Sequence, residues 1–98
     1  MIVRIVKLEF KTENIVSFEN IFNDTKHLIR DFEGCHFLEL YQDKSNSNIF
    51  FTYSYWADEN ALETYRNSAF FKNVWAKTKP LFAGKPEAWT VNKIATLN

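Results

Sequence analysis

The chain has 98 residues, 46% of them hydrophobic and 17% aromatic, with ten Phe and three Trp. That length fits one domain, residues 1–98; the aromatic content points either to a thick core or to a core plus a second buried surface such as a dimer interface. Twelve basic and twelve acidic residues cancel and form no basic stripe, which argues against a nucleic-acid partner and against attraction to an anionic membrane.

One cysteine, Cys35, excludes an intramolecular disulfide and fits a reducing, cytoplasmic setting. The opening MIVRIVKLEF is too short an apolar run for a signal peptide and is interrupted by Arg4 and Lys7. No segment approaches the ~20 apolar residues of a membrane span.

Met1 to Phe10 is rich in β-branched residues and reads as a strand. Ile2, Val6, Leu8 and Phe10 share one face; Val3 and Ile5 begin the other, which ends in Lys7 and Glu9. Asn14 to Phe32 reads as a helix. At ~100° per residue, Ile15, Phe18, Ile21, Phe22, Leu28, Ile29 and Phe32 fall within an arc of roughly 140°, and only Val16 lies well outside it. Thr12 or Asn14 is the expected cap, and Gly34 sits where a left-handed stop belongs.

His36 to Gln42 is the second expected strand, and Asp43 to Asn48 (DKSNSN) a hairpin tip. Ile49 to Trp56 follows, with Ile49, Phe51, Tyr53 and Tyr55 on one face and Phe50, Thr52, Ser54 and Trp56 on the other. Asp58 is a good N-cap for a helix running to about Ser68, where a break or recap is expected before a further helical stretch, Ala69 to Lys79. Pro80, Gly84 and Pro86 punctuate the exit, and Glu87 to Ile94 is the last strand.

The order β-α-β-β-α-β predicts an α+β, ferredoxin-like fold: a four-stranded antiparallel sheet with helices on one face. Yet the third strand carries large apolar groups on both faces, whereas a sheet with one wet face should alternate apolar and polar. A second copy of the chain, packed sheet to sheet, resolves this; a homodimer is therefore expected.

Few motifs carry chemistry. Two histidines, His27 and His36, and one cysteine show none of the spacings of a zinc site. His27 falls on the polar side of its helix; His36 opens a strand, where a cap or edge role competes with facing a cavity. Cys35 and His36 are adjacent on a strand and point opposite ways, poor geometry for an activated nucleophile, so Cys35 reads as a small core residue. With two glycines, neither phosphate-cradling loop motif is possible. Asp24 and Asp31 lie among polar neighbours. Glu39, between Phe37 and Tyr41, is the one acid that could be drawn inward as a proton acceptor, against the commoner exposed or interface-paired role.

The aromatic stretch from Phe50 to Trp75 is the strongest signal. Trp56, Tyr65, Phe71 and Trp75 would line a space between the end of the third strand and the helix after it. Helically spaced aromatics more often pack a core than wall a pocket, but Trp and Tyr carry polar atoms that seek partners when buried. Thr52, Ser54 and His36 complete the candidate set as hydrogen-bonding groups, and Arg66, beside Tyr65, reads as exposed.

The opening strand IVRIVKLEF, the turn DFEGC and the segment YWADENALETYRNSAFFKNVWAKT resemble the antibiotic biosynthesis monooxygenase (ABM) family of the dimeric α/β-barrel superfamily. The resemblance implies a small homodimer with a pocket between sheet and helices in each subunit. It further implies oxygenation of polycyclic phenols, quinols or anthrones with no metal or flavin cofactor, the ionised substrate passing an electron directly to O₂. The tryptophan of anthrone-oxidising members corresponds to Trp56; their asparagine becomes Thr52 and their tyrosine falls near Leu62. Helix histidines of quinol-oxidising members become Tyr65 and Phe70. The three determinants of the haem-degrading branch fall at Tyr65, Trp75 and near Val6 and are absent, which argues against haem degradation. The sequence leaves two main functions open: a cofactor-independent monooxygenase acting on a small aromatic or quinol, and a non-catalytic dimeric ligand-binding or stress-related protein. A third, a module whose apolar face docks another protein, would be a monomer.

Overall fold

In the computed structural model, which describes residues 1–98, the elements run β1 (Ile2–Glu9), α1 (Ile15–Arg30), β2 (Cys35–Gln42), β3 (Ile49–Trp56), α2 (Glu59–Arg66), α3 (Ala69–Thr78) and β4 (Glu87–Asn92). Short 3-10 turns at Thr12–Asn14 and Lys79–Leu81 flank α1 and α3. The sheet order is β2-β3-β1-β4, every pair antiparallel. This is the ferredoxin-like α+β arrangement expected from the alternation of strand and helix patterns. No helix is long and apolar enough to cross a membrane.

Two apolar clusters hold the helices to the sheet, one at each end of the central strands. At one end Ile2, Cys35, Trp56, Leu62 and Tyr65 are buried, with Ile29, Phe32, Phe70 and Phe71 packed around them. At the other, Leu8, Phe10, Phe18 and Phe50 are buried, backed by Phe22, Trp75 and Phe82. Phe10 stacks on Phe18 with ring centroids 4.2 Å apart and on Phe82 at 5.1 Å. The helix-facing side of β3 thus begins in Phe50 and ends in Trp56, with Thr52 and Ser54 between them. Those two short side chains leave the middle of the layer unfilled.

Local chemistry sets the joints. Gly34 has a left-handed φ of +89°, but it lies three residues beyond Asp31, which ends α1, so it shapes the turn into β2 rather than stopping the helix as expected; a Cβ there would lie 2.5 Å from the Ala61 Cβ. Asp58 caps α2 by accepting from the Ala61 N–H at 2.8 Å, and the expected recap falls at Ser68, whose hydroxyl accepts from the Phe71 N–H at 3.0 Å to start α3.

Several boundaries differ from the sequence reading. Neither Thr12 nor Asn14 caps α1. The Asn14 amide donates to the Leu81 carbonyl at 3.2 Å, and the Thr12 hydroxyl accepts from the Asn48 amide at 2.9 Å, so both side chains tie the turn to other segments. Leu28, at the rim of the predicted apolar arc, is 59% exposed. β2 begins at Cys35, and the register shifts between Cys35 and Phe37, so His36 is the extra residue of a bulge. β4 ends at Asn92 rather than Ile94 because Asn92 already pairs with Ile2, the first residue of β1.

The face turned away from the helices is apolar in register. Phe37, Tyr55, Val3 and Val91 form one cross-strand row, and Glu39, Tyr53, Ile5 and Trp89 the next. Tyr53 and Tyr55 hydroxyls lie 3.3 Å apart, and the Lys93 ammonium sits 4.4 Å above the Tyr55 ring. Trp89 is 47% exposed.

Candidate functional site

Between the two apolar clusters lies a cavity of about 340 Å³. Its floor is the helix-facing side of the sheet: Arg4, Val6 and Leu8 from β1, Leu38 from β2, and Thr52, Ser54 and Trp56 from β3. The roof comes from Phe22, Thr25 and Ile29 of α1, Leu62 and Tyr65 of α2, and Phe71, Val74 and Trp75 of α3. Helices cover β1, β2 and β3 but leave β4 exposed along its whole length, and Ala88 of β4 and Arg66, both exposed, lie on the cavity wall. The mouth is therefore on the β4 side. The volume sits at the lower end of small-molecule sites, roughly 300–1,000 Å³, with room for a bicyclic aromatic.

Six of the seven candidate residues come together here: Trp56, Tyr65, Phe71, Trp75, Thr52 and Ser54. The rings are layered. Trp56 stacks on Tyr65 at 4.8 Å, Tyr65 meets Phe71 edge-on at 5.1 Å, and Phe71 stacks on Trp75 at 5.9 Å with planes 11° apart. They pack against one another as a curved wall and also line the cavity.

His36 does not join them. The bulge turns it out, and it is exposed and absent from the wall. Glu39 is not drawn inward either. The strand alternation puts Leu38 and Leu40 toward the helices, while Glu39 lies on the uncovered face and accepts a hydrogen bond from Tyr41, which holds the Tyr41 hydroxyl proton more firmly than usual. His27 is exposed on α1, and no group of three or more His, Cys, Asp or Glu side chains converges as a metal site would require.

The polar atoms on the wall are few. The Trp56 indole N–H donates to the Ser54 hydroxyl at 3.0 Å, and both residues are buried. The Thr25 hydroxyl, in the middle of the apolar arc of α1, is spent on the Ile21 carbonyl at 2.8 Å. Burial drives the Tyr65 phenol well above its ordinary range, with Cys35 adding to the effect, so Tyr65 presents a neutral O–H at physiological pH. No Asp, Glu, His, Lys or Cys lines the cavity.

Arg4 is the residue the sequence reading passed over. It lies on the cavity side of β1, between Ile2 and Val6, and its Nη1 donates to the Thr90 hydroxyl at 2.8 Å. A lone cation on an otherwise apolar, alternating face was the signal. Burial lowers its pKa from the usual value; the neighbouring Arg66 charge lowers it further and Glu63 opposes this.

An aromatic cavity roofed by three helices on a four-stranded antiparallel sheet defines the class: a ferredoxin-like α+β domain with an internal apolar site. The model of the antibiotic biosynthesis monooxygenase family matches residues 1–77, and the chain belongs to that family. Solved structures agree on the fold. A conserved protein from Methanosarcina mazei Go1 is 24% identical, with TM-score 0.88 over 95% of this chain and 93% of its own. A Deinococcus radiodurans protein assigned to the antibiotic biosynthesis monooxygenases is 15% identical, with TM-score 0.89 over 100% of this chain and 97% of its own. A Caulobacter crescentus CB15 protein with the same assignment is 21% identical, with TM-score 0.89 over 96% of this chain and 90% of its own. Among curated proteins, none matches the sequence.

Proposed function

We propose that this protein is a cytoplasmic homodimer that works as a cofactor-independent monooxygenase on a small aromatic or quinol-like substrate. The observation that carries the reading is the layered aromatic wall of Trp56, Tyr65, Phe71 and Trp75 around a cavity of about 340 Å³. Such a wall orients a flat substrate and keeps bulk water from it. Trp56 and Tyr65 position the ring, Phe71 and Trp75 form the sides, and Thr52 or Ser54 reaches a substrate oxygen. The ionised substrate passes an electron to O₂. In the simplest balanced outcome a ring methylene becomes a carbonyl and the second oxygen atom leaves as water, the four electrons coming from two C–H bonds. Family membership supports this reading. The homodimer forms through the uncovered sheet face, whose rows of Phe, Tyr, Val and Trp suit burial better than water.

One observation favours a second reading, a dimeric binding protein without turnover. The cavity wall has no carboxylate, imidazole or amine to take a proton from a substrate, and such a group contributes about 10²–10⁴-fold where present. Oxygen uptake with a panel of quinols and anthrones, comparing wild type with Trp56→Ala, tests the choice. Substrate-dependent uptake that falls at least tenfold in the variant supports the monooxygenase; no uptake across the panel leaves the binder.

A further inference from the structure

The only ionic side chains on the cavity wall are two guanidinium groups, Arg4 and Arg66. They differ in their surroundings. Arg66 is exposed and has a loose ion pair with Glu63, at 3.8 Å. Arg4 is partly buried, has no carboxylate within ion-pair distance, and uses one N–H on the neutral Thr90 hydroxyl. The group of three, Arg4, Arg66 and Glu63, carries a net charge of +1.

A charge on a partly buried strand face should either pair or be replaced by an apolar residue. Val6 and Leu8, its neighbours on that face, show what the position would otherwise hold. Arg4 has Arg66 as a like-charged neighbour, and burial and that neighbour both work against its charge. An anion at the cavity end would reverse both penalties. It would also find a fork of donors, since a guanidinium offers five N–H groups in one plane and only one hydrogen bond, that from Nη1 to Thr90, is made.

We propose that the cavity takes an aromatic ligand bearing an anionic oxygen group, with Arg4 as the residue that selects for the anion and Arg66 assisting at the mouth. This rests on the reading of the cavity as the substrate site and deepens it. The aromatic body lies against Trp56, Tyr65, Phe71 and Trp75, and the charged end points toward β4, where Arg4, Thr90 and Arg66 meet it. The same geometry explains how a site with no base could hold an electron-rich anion: the ligand arrives ionised, or is ionised under the influence of Arg4, and the guanidinium keeps it so.

The test is equilibrium binding read by tryptophan fluorescence, which needs no turnover. Trp56 and Trp75 line the cavity and report its occupancy directly. The probes are 2-naphthoate and the neutral, near-isosteric 2-naphthamide. Wild type should bind the carboxylate at least tenfold more tightly. Arg4→Gln should remove that preference while leaving naphthamide affinity within about twofold, which also shows that the variant is folded. Arg4→Lys should retain part of the preference, because it keeps the charge but not the planar fork. Equal affinity of wild type for both probes, or equal loss of both in Arg4→Gln, overturns the anion assignment. Failure of both probes to bind wild type overturns it together with the substrate-site reading. Tight carboxylate binding without oxygen uptake supports it and removes only the monooxygenase.

Discussion

The indole N–H of Trp56 donates to the hydroxyl of Ser54, two residues earlier on the same face of β3, at 3.0 Å. The pair is buried, and this is the one hydrogen bond the indole makes. Sheet alternation brings the two groups together; the short Ser side chain then leaves the cavity open above itself while satisfying the largest ring in the wall.

Ser54→Ala should therefore cost more than a methylene-sized change implies. It strands a buried donor, for which about 1–3 kcal/mol is typical. Denaturant unfolding should show a loss of that size with an unchanged slope. Stability equal to wild type would mean that the indole has found water or another acceptor.

The turn after α1 offers a sharper test. At Gly34 a side chain meets two obstacles, the positive φ and the Ala61 Cβ at 2.5 Å. Gly34→Ala should destabilise by roughly 2–4 kcal/mol from strain and overpacking together. Adding Ala61→Gly relieves the contact but not the backbone, so a double-mutant cycle should return a favourable coupling of about 1 kcal/mol and incomplete recovery. Full additivity would deny the contact.

Tyr65 supplies a pH dependence with a definite sign. Its folded-state pKa lies above the ordinary value, so the unfolded chain loses this proton first as pH rises. Stability from this group is complete below about pH 10 and declines above it, by at most about 1.4 kcal/mol per pH unit. The buried Cys35 thiol, also shifted upward, acts in the same direction from about pH 9. Unfolding measured between about pH 8 and 11 should show a shallower alkaline decline in Tyr65→Phe than in wild type. Parallel curves would mean that the phenol is solvated in the folded state.

Ile5 sits at the middle of the uncovered face, between Tyr53 and Trp89 in register. Ile5→Lys should give a monomer by light scattering at micromolar concentration while wild type scatters as a dimer. A monomeric wild type would show that this apolar face is tolerated in water or taken by another protein.

Much of this architecture was legible in the chain. The strand pattern of β3, the cap at Asp58, the recap at Ser68 and the left-handed turn at Gly34 are local signals, and local chemistry decides them. The ring set from Trp56 to Trp75 was legible because strand and helix periods each aimed it inward. What escaped depended on partners distant in sequence. Asn14 resembles a cap until Leu81 arrives to claim its amide. His36 follows the strand period until the bulge inserts it. Arg4 gains meaning only when α2 brings Arg66 over the same cavity, although its place among Ile2, Val6 and Leu8 already marked it.

The uncovered strand β4 has one further consequence. It is held by a single ladder to β1 and lies under no helix, so in a lone subunit it is the cheapest segment to detach, and its amides should exchange with deuterium before those of β1 and β3. The doorway and the weakest seam of the subunit coincide.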